Sequence, residues 1–225
     1  MKNIFLPPMI AIVIALLSGC ARTPLDISGE TLGPYKKNPI LAANSNIALG
    51  FDYLKKKKVS LAKEKFLKAI SDAPTYAPSY YAMAFFMEKT KNTEQADQLY
   101  RYAITLEPKN GDAHNNYGTF LCRQKKYKTA ISEFITATEQ TQYLNVAEAL
   151  ENAGNCALQA QQHQQAVKYL KAAISNNPEL ISARLSLAKA YFKQHHVTKA
   201  YSQFSIYARY HKIAPNRFND LMTTP

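Results

Sequence analysis

Apolar residues after residue 40 recur three and four positions apart, the spacing that places them on one face of a helix. Short polar turns interrupt this pattern at regular distances, so it predicts helices that follow one another in pairs. Only seven of the 225 residues are glycine, and long helices are therefore rarely interrupted. We expect ten helices, near residues 43–56, 59–72, 77–90, 93–106, 111–124, 127–140, 147–160, 163–176, 181–194 and 197–211.

Small residues recur in both helices of each pair. In the second helix they are spaced by 34, 34, 36 and 34 residues, at Ala62, Ala96, Ala130, Ala166 and Ala200. In the first helix they are Gly50, Ala84, Gly118, Gly154 and Ala188. A large side chain follows the second set by four positions, at Phe66, Tyr100, Phe134, Leu170 and Phe204. Two helices approach closely only where side chains are small, so we expect the helices of each pair to cross at the small positions.

This fixed period resembles that of the tetratricopeptide repeat (TPR) over residues 43–214. The resemblance implies an all-α fold, a superhelical solenoid of five helix-turn-helix repeats within 41–214, and a short C-terminal cap at 215–225. The repeats are predicted at 43–76, 77–110, 111–146, 147–180 and 181–214. The junction at 141–146 is two residues longer than the others and lacks their proline, so we expect a local change in the superhelix there.

The beginning of the chain has the pattern of a bacterial secretory signal. Lys2 supplies a positive charge, and the apolar run 10–17 is too short to span a bilayer. The following Leu17-Ser18-Gly19-Cys20 resembles a lipobox. It implies a signal peptide over 1–19 and a lipid-modified Cys20. An ordinary cleaved leader, in which Cys20 is incidental, is the alternative.

Ala21 and the segment around it indicate which membrane the repeats are attached to and how. Ala21 stands where an aspartate would retain a bacterial lipoprotein in the inner membrane, so the sequence favours the outer membrane. Residues 20–40 are rich in proline, glycine and polar side chains and show no helical period, which is typical of a flexible tether. We therefore expect the repeats to face the periplasm.

The formal charge of +12 is compatible with nucleic acid, anionic lipid or an acidic protein as a partner. A secreted protein does not meet chromosomal DNA, so no nucleic-acid partner is expected. The basic run 55–58 lies at a turn in the repeat nearest the anchor. Contact with lipid headgroups and a solvated basic turn both remain open for this run.

The inner face of the predicted superhelix is the candidate partner site. In such a solenoid the first helix of each pair lines the concave side, and its fifth, ninth and twelfth positions point inward. The predicted groove residues are Ile47, Phe51, Leu54, Tyr81, Phe85 and Asn115. An apolar strip flanked by charge suits a peptide or strand of another protein. The alternative is that some of these rings pack between repeats.

The remaining cysteines and histidines show no catalytic arrangement. Cys122 and Cys156 fall on neighbouring first helices, where either a disulfide or two buried thiols is possible. The histidines are scattered rather than spaced as metal ligands, and no phosphate-binding or nucleophile motif occurs. We expect no enzyme activity, cofactor, metal or small-molecule substrate.

Two segments, 115–122 and 149–158, resemble the PilF/PilW family of type IV pilus biogenesis lipoproteins, as does the longer junction with Tyr143. The resemblance implies a pilotin, an outer-membrane lipoprotein that helps a PilQ-like secretin to reach the membrane and assemble, or supports pilus stability. It also implies a Cys122–Cys156 disulfide. Family members usually carry a sixth repeat or a larger cap, whereas the given sequence continues for only eleven residues after the fifth predicted repeat. The alternative is a TPR adaptor for general outer-membrane protein assembly or cell-wall enzyme recruitment.

Overall fold

A computed structural model describes residues 38–223. The predicted signal peptide, the lipid-modified Cys20 and nearly all of the predicted tether lie outside this range, as do residues 224 and 225. The α-helices of the described range are α1 Pro39–Lys55, α2 Val59–Asp72, α3 Ala77–Lys89, α4 Thr93–Leu106, α5 Gly111–Arg123, α6 Tyr127–Thr138, α7 Val146–Gln159, α8 His163–Asn176, α9 Ile181–Lys193, α10 Val197–His211 and α11 Phe218–Thr223.

The first ten helices form five consecutive antiparallel pairs, and residues 38–223 contain no β-strand. Each pair packs on the next, and the largest cluster of buried side chains extends from the second pair to the fifth. The predicted fold class, an all-α TPR solenoid, is therefore confirmed. Within residues 38–223, no helix has the length and apolar character needed to cross a membrane.

The small positions are the points where paired helices touch. A Cβ atom at Gly50 would lie 2.6 Å from the Phe66 ring, and one at Gly154 would lie 2.5 Å from Leu170 Cγ. The small alanines of the second helices are also fully buried. The small residues that recur in each repeat are thus the points where the paired helices cross, as the sequence predicts.

The solenoid begins earlier than the sequence predicts. Helix α1 starts at Pro39 rather than at residue 43, so the end of the predicted tether at 20–40 is helical instead. The Asn38 side-chain oxygen accepts hydrogen bonds from the backbone N–H groups of Ile40 and Leu41, at 3.0 and 3.2 Å. Asn at the N-cap followed by Pro at the first helical position is a strong start signal, because it satisfies free N–H groups and fixes φ.

The connection 139–145 between the third and fourth pairs is longer than the four-residue connections 73–76, 107–110 and 177–180. Its Tyr143 is buried against Gly111, the first residue of α5. The predicted helix 127–140 ends early, at Thr138, because the chain leaves α6 to form this connection.

A short 3₁₀ turn, Pro215–Arg217, leads into α11, which covers the end of the fifth pair. The Phe218 ring lies 5.2 Å from the Phe204 ring and 5.8 Å from the Phe192 ring, centroid to centroid. Met222 is fully buried in the same cluster. Helix α11 therefore covers apolar surface that would otherwise face water.

Candidate functional site

An open apolar depression lies across the first helices of the first two pairs. Its volume is about 390 Å³, and Phe51, Leu54 and Phe85 form its floor together with the stems of Lys55 and Lys89. We call this depression, lined by these five residues, the N-terminal groove. It brings together three of the six predicted groove residues.

The floor of the N-terminal groove is rigid and yet accessible. The Phe51 ring makes edge contacts with the Phe66 and Phe85 rings, at centroid distances of 5.2 and 5.6 Å. Phe66 is fully buried, so it fixes Phe51 from below, while Phe51 itself remains 38% exposed. A ring held in this way loses little conformational freedom on binding, which favours a partner's apolar side chain.

The rim of the N-terminal groove is positively charged. Lys55 and Lys89 are both exposed at its edge, and the Lys89 ammonium lies 5.0 Å from the centroid of the Phe85 ring. Such a contact covers the ring face without neutralising the charge. An apolar floor between two ammonium groups fits an apolar segment that carries acidic residues beside its buried side chains.

The other three predicted groove residues lie elsewhere. Ile47 is half-buried and packs against buried residues of the first two pairs. Tyr81 packs against the central core, and burial raises the pKa of its hydroxyl. Asn115 accepts a hydrogen bond from Asn152 Nδ2 at 3.0 Å, which joins the third and fourth pairs. The alternative that some of the predicted groove residues pack between repeats therefore applies to part of the six.

Two pairs of polar side chains, on helices α3, α5 and α6, are not predicted by the sequence pattern. Arg123 of α5 binds the carboxylate of Glu88 of α3 through two hydrogen bonds, which links the second and third pairs. His114 is buried; its Nδ1 lies 2.7 Å from Glu133 Oε2 and its Nε2 lies 2.9 Å from the Pro108 carbonyl oxygen. The hydrogen bond to Glu133 is the main reason that the pKa of His114 is raised. The partners are 19 residues apart in the His114–Glu133 pair and 35 residues apart in the Arg123–Glu88 pair. At these distances, no local sequence pattern predicts either contact.

The structure joins the sulfur atoms of Cys122 and Cys156 across α5 and α7. Their Cα atoms are 5.8 Å apart, and both side chains are buried. This separation lies within the usual range for a disulfide. The two first helices are thereby linked one residue before the end of α5.

The histidines, cysteines and carboxylates of the described range do not gather into a metal site. Residues 38–223 contain no group of three or more His, Cys, Asp and Glu side chains placed to hold a metal ion. The buried histidine, His114, is engaged with Glu133 and a carbonyl, as a structural hydrogen-bond pair.

Comparison with known families identifies the repeat. Tetratricopeptide-repeat profiles match residues 77–110, 111–179 and 157–209, which together cover more than half of the chain. An uncharacterised protein of Haemophilus influenzae is 35% identical over 133 residues, covering 58% of this chain and 74% of the relative.

A further relative is a type IV pilus protein, which is matched both in sequence and in structure. The type IV pilus assembly protein PilF of Pseudomonas aeruginosa is 29% identical over 168 residues, covering 75% of this chain and 67% of PilF. A solved P. aeruginosa PilF structure matches with a TM-score of 0.69 and 28% identity, over 77% of this chain and 78% of that one.

The structure of PilW, described as a widely conserved type IV pilus biogenesis factor, also matches with a TM-score of 0.69, at 22% identity, over 76% of this chain and 79% of that one. At that identity the likeness shows the fold alone. Together, the repeat profiles, the PilF identity and the PilF structure confirm the resemblance seen in the sequence. The chain belongs to the tetratricopeptide-repeat family and is a PilF/PilW-like type IV pilus TPR protein.

Proposed function

We propose that this chain is a non-enzymatic outer-membrane lipoprotein of type IV pilus biogenesis, a pilotin that helps the pilus secretin to reach the outer membrane and assemble. The observation that carries this proposal is the similarity to PilF, which extends over three quarters of the chain. The alternative of a general outer-membrane assembly adaptor shares the fold but gains no support from these relatives.

The proposed binding site is the N-terminal groove. Its aromatic floor is rigid and partly exposed, and its rim is basic. A secretin segment with apolar side chains and neighbouring carboxylates complements both features. Aromatic anchors near the centre of an interface commonly contribute about 2 kcal/mol or more each.

The proposed anchor is a lipid on Cys20. This residue follows a short apolar leader and small residues, and Ala21 follows it where inner-membrane retention would need aspartate. A single acyl chain binds a bilayer only marginally, and each further buried methylene contributes about 0.8 kcal/mol, so multiple chains make attachment stable. The groove lies in the first two repeats, which are the repeats closest in sequence to this anchor.

The experiment compares strains that lack this protein, carry it unchanged, or carry Cys20→Ala. The unchanged protein is expected in the outer membrane with an acylated Cys20, as read by mass spectrometry, and it supports heat-stable secretin multimers and surface pili. Loss of the protein should leave secretin monomers and few pili, and Cys20→Ala should reduce multimers in the outer membrane. Normal multimers and pili in the deletion strain would reject the pilotin function, and an unmodified Cys20 would reject the anchor.

A further inference from the structure

The positive charge of the chain is concentrated in the segment that forms most of the last two helix pairs. Residues 152–219 contain nine lysine and arginine residues and a single carboxylate, that of Glu179. This segment therefore supplies +8 of the formal net charge of +12. A surface with such an excess of one charge attracts partners of the opposite charge and speeds their association.

A cavity of about 490 Å³ lies between α7 and α9 within this basic segment. We call it the C-terminal cavity. The side chains that α7 and α9 contribute to its walls are Asn155, Leu158, Gln159, Ser186, Lys189 and Lys193. His163, the first residue of α8, and the buried Met222 of α11 complete the walls. No carboxylate of residues 38–223 lines the cavity, so its charge is positive.

The polar side chains of the C-terminal cavity form one row on each helix. Asn155 and Gln159 are four residues apart on α7, and Lys189 and Lys193 are four residues apart on α9. Residues at this spacing lie on the same face of a helix, one turn apart. Two ammonium groups so placed repel each other, and a carboxylate bound between them relieves the repulsion.

These polar groups are accessible to a ligand. Gln159 and Lys193 are exposed, and Asn155 and Lys189 are half-buried. The Asn155 amide forms no hydrogen bond with another side chain or with the backbone of residues 38–223. An amide both donates and accepts hydrogen bonds, as a peptide group does. The row on α7 therefore suits the backbone of an extended segment, beside the lysines that suit its carboxylates.

An acidic side chain of α7 lies close in sequence to the cavity but is engaged elsewhere. Glu151 stands one turn before Asn155, and its Oε2 accepts a hydrogen bond from Ser182 Oγ at 3.1 Å. Burial is the main reason that the pKa of Glu151 is raised. This carboxyl group is not part of the cavity wall, so the wall itself still lacks a negative group.

The shape of the C-terminal cavity favours a protein segment over a lipid surface. A bilayer presents its headgroups as a flat array, whereas this site is a recess between two helices. Leu158 adds a half-buried apolar side chain to the same wall as the amides. A protein segment with an apolar residue beside its carboxylate uses the lysines, the amides and the leucine together.

We propose that the C-terminal cavity binds an acidic segment of a partner protein. An aspartate or glutamate side chain of that segment accepts hydrogen bonds from the Lys189 and Lys193 ammonium groups, and its backbone pairs with the Asn155 and Gln159 amides. An apolar neighbour packs on Leu158. The site lies in the fourth and fifth pairs, so the proposal does not depend on secretin capture by the N-terminal groove of the first two pairs.

The test is a titration of the ¹⁵N-labelled protein with the peptide acetyl-Leu-Glu-Leu-Glu-Leu-amide, followed by amide shifts in NMR. A matched peptide with glutamine in place of both glutamates is the probe control. We expect the acidic peptide to shift the amides of 155–159 and 186–193, and the glutamine peptide to bind at least fivefold more weakly. Sodium phosphate and vesicles of phosphatidylcholine with phosphatidylglycerol are the small-anion and lipid probes, and neither should match the shifts that the acidic peptide causes.

The variant Lys189→Gln with Lys193→Gln should weaken binding of the acidic peptide at least fivefold and remove the preference over the glutamine peptide. Lys193→Gln alone changes an exposed residue and should cause part of this loss with no effect on the fold. Asn155→Ala should weaken both peptides alike. The matched control, Lys168→Gln with Lys171→Gln, makes the same change in net charge at exposed positions of α8 and should leave binding unchanged.

Helix content by circular dichroism is compared for all variants, so that a loss of binding is read only in folded protein. Equal binding of the two peptides, or full binding of the acidic peptide by the folded Lys189/Lys193 variant, would overturn the proposal. The same amide shifts with phosphate or with the vesicles, at strengths equal to those of the acidic peptide, would also overturn it, in favour of a general anion site or a lipid contact.

Discussion

At the scale of single residues, the glycines at the helix crossing points show how closely the paired helices pack. At Gly154 an added Cβ would lie 2.5 Å from Leu170 Cγ and 3.4 Å from the Ala166 carbonyl oxygen. Leu170 is fully buried and has little room to move.

Gly154→Ala is therefore expected to destabilise the protein. Overpacking of about 2 kcal/mol exceeds the gain of about 1 kcal/mol in helix propensity, so the net loss is about 1 kcal/mol. Urea unfolding monitored by circular dichroism measures it. A variant as stable as the parent, or more stable, would show that the fourth pair has space at its crossing point.

His114 is expected to make stability depend on pH. Its pKa is raised by the hydrogen bond to Glu133, so the folded state binds the proton more tightly than the unfolded state does. The stabilisation is therefore fully present below the unfolded pKa, about 6.5, and is lost as pH rises through the higher folded pKa.

The comparison is the free energy of unfolding of the parent and of His114→Gln between pH 5.5 and pH 8.5. The difference between the two proteins should shrink as pH rises, because the parent loses the proton and the variant has none to lose. The other four histidines are the same in both proteins, so their contribution cancels in this difference. If the difference in the free energy of unfolding stays constant or grows with pH, His114 and Glu133 do not form a stabilising charged pair.

At the scale of elements, the regular repeats are predictable and the irregular connections are not. Helices α2, α4, α8 and α10 occupy the residues expected from the 34-residue pattern. The earlier start of α1 comes from the local Asn38-Pro39 cap, which carries no repeat signal. The 139–145 connection is visible in the sequence as an insertion, but the burial of Tyr143 on Gly111 depends on two segments that meet only in the fold.

The Cys122–Cys156 disulfide is expected to stabilise the middle of the solenoid. The two cysteines are 34 residues apart in sequence, and the chain-entropy relation gives about 4 kcal/mol for a loop of that size. Reduction, or Cys122→Ser with Cys156→Ser, should lower the midpoint of thermal unfolding.

Hydrogen exchange of the reduced protein should increase first in α5 to α8, because each repeat depends mainly on its neighbours. Peptide mapping of protein purified from the periplasm without reductant reports the bond itself. Two free thiols there would contradict the prediction.

Helix α11 is expected to act as the cap of the fifth pair. Phe218 contacts Phe192, Tyr201 and Phe204, so its loss exposes several rings at once. Phe218→Ala should destabilise the protein by about 3 kcal/mol, the low end for loss of a buried phenylalanine.

Hydrogen exchange should localise the effect of Phe218→Ala to α9 and α10. Arg217→Ala, which removes only an exposed ion pair with Asp220, is the matched control and should change stability by less than about 1 kcal/mol. If Phe218→Ala and Arg217→Ala have equal effects, α11 is not a cap.

At the scale of the whole molecule, the pattern indicates which helix faces the inside of the superhelix, but not which side chains stay open on it. Phe51, Leu54 and Phe85, at the ninth and twelfth positions of their repeats, line the N-terminal groove. Ile47 and Tyr81, both at the fifth position, pack into the core although the pattern predicts that they also point inward. The difference arises from neighbouring pairs, since each first helix is partly covered by the next. The rim charges at Lys55 and Lys89 also become a feature of the groove only once α1 and α3 lie side by side.

The proposed capture of the pilus secretin by the N-terminal groove is tested by charge reversal on the groove's rim, which removes no buried side chain. Lys55→Glu with Lys89→Glu changes two exposed residues of the groove. Lys128→Glu with Lys171→Glu makes the same change in net charge on exposed positions of the second helices α6 and α8. The measurement is the ratio of secretin multimer to monomer, by immunoblot of membranes from a deletion strain complemented with each variant. We expect the groove variant to lower the ratio severalfold and the control to keep it at the parental level. A parental ratio with the groove variant, at equal protein abundance and helix content, would contradict the claim.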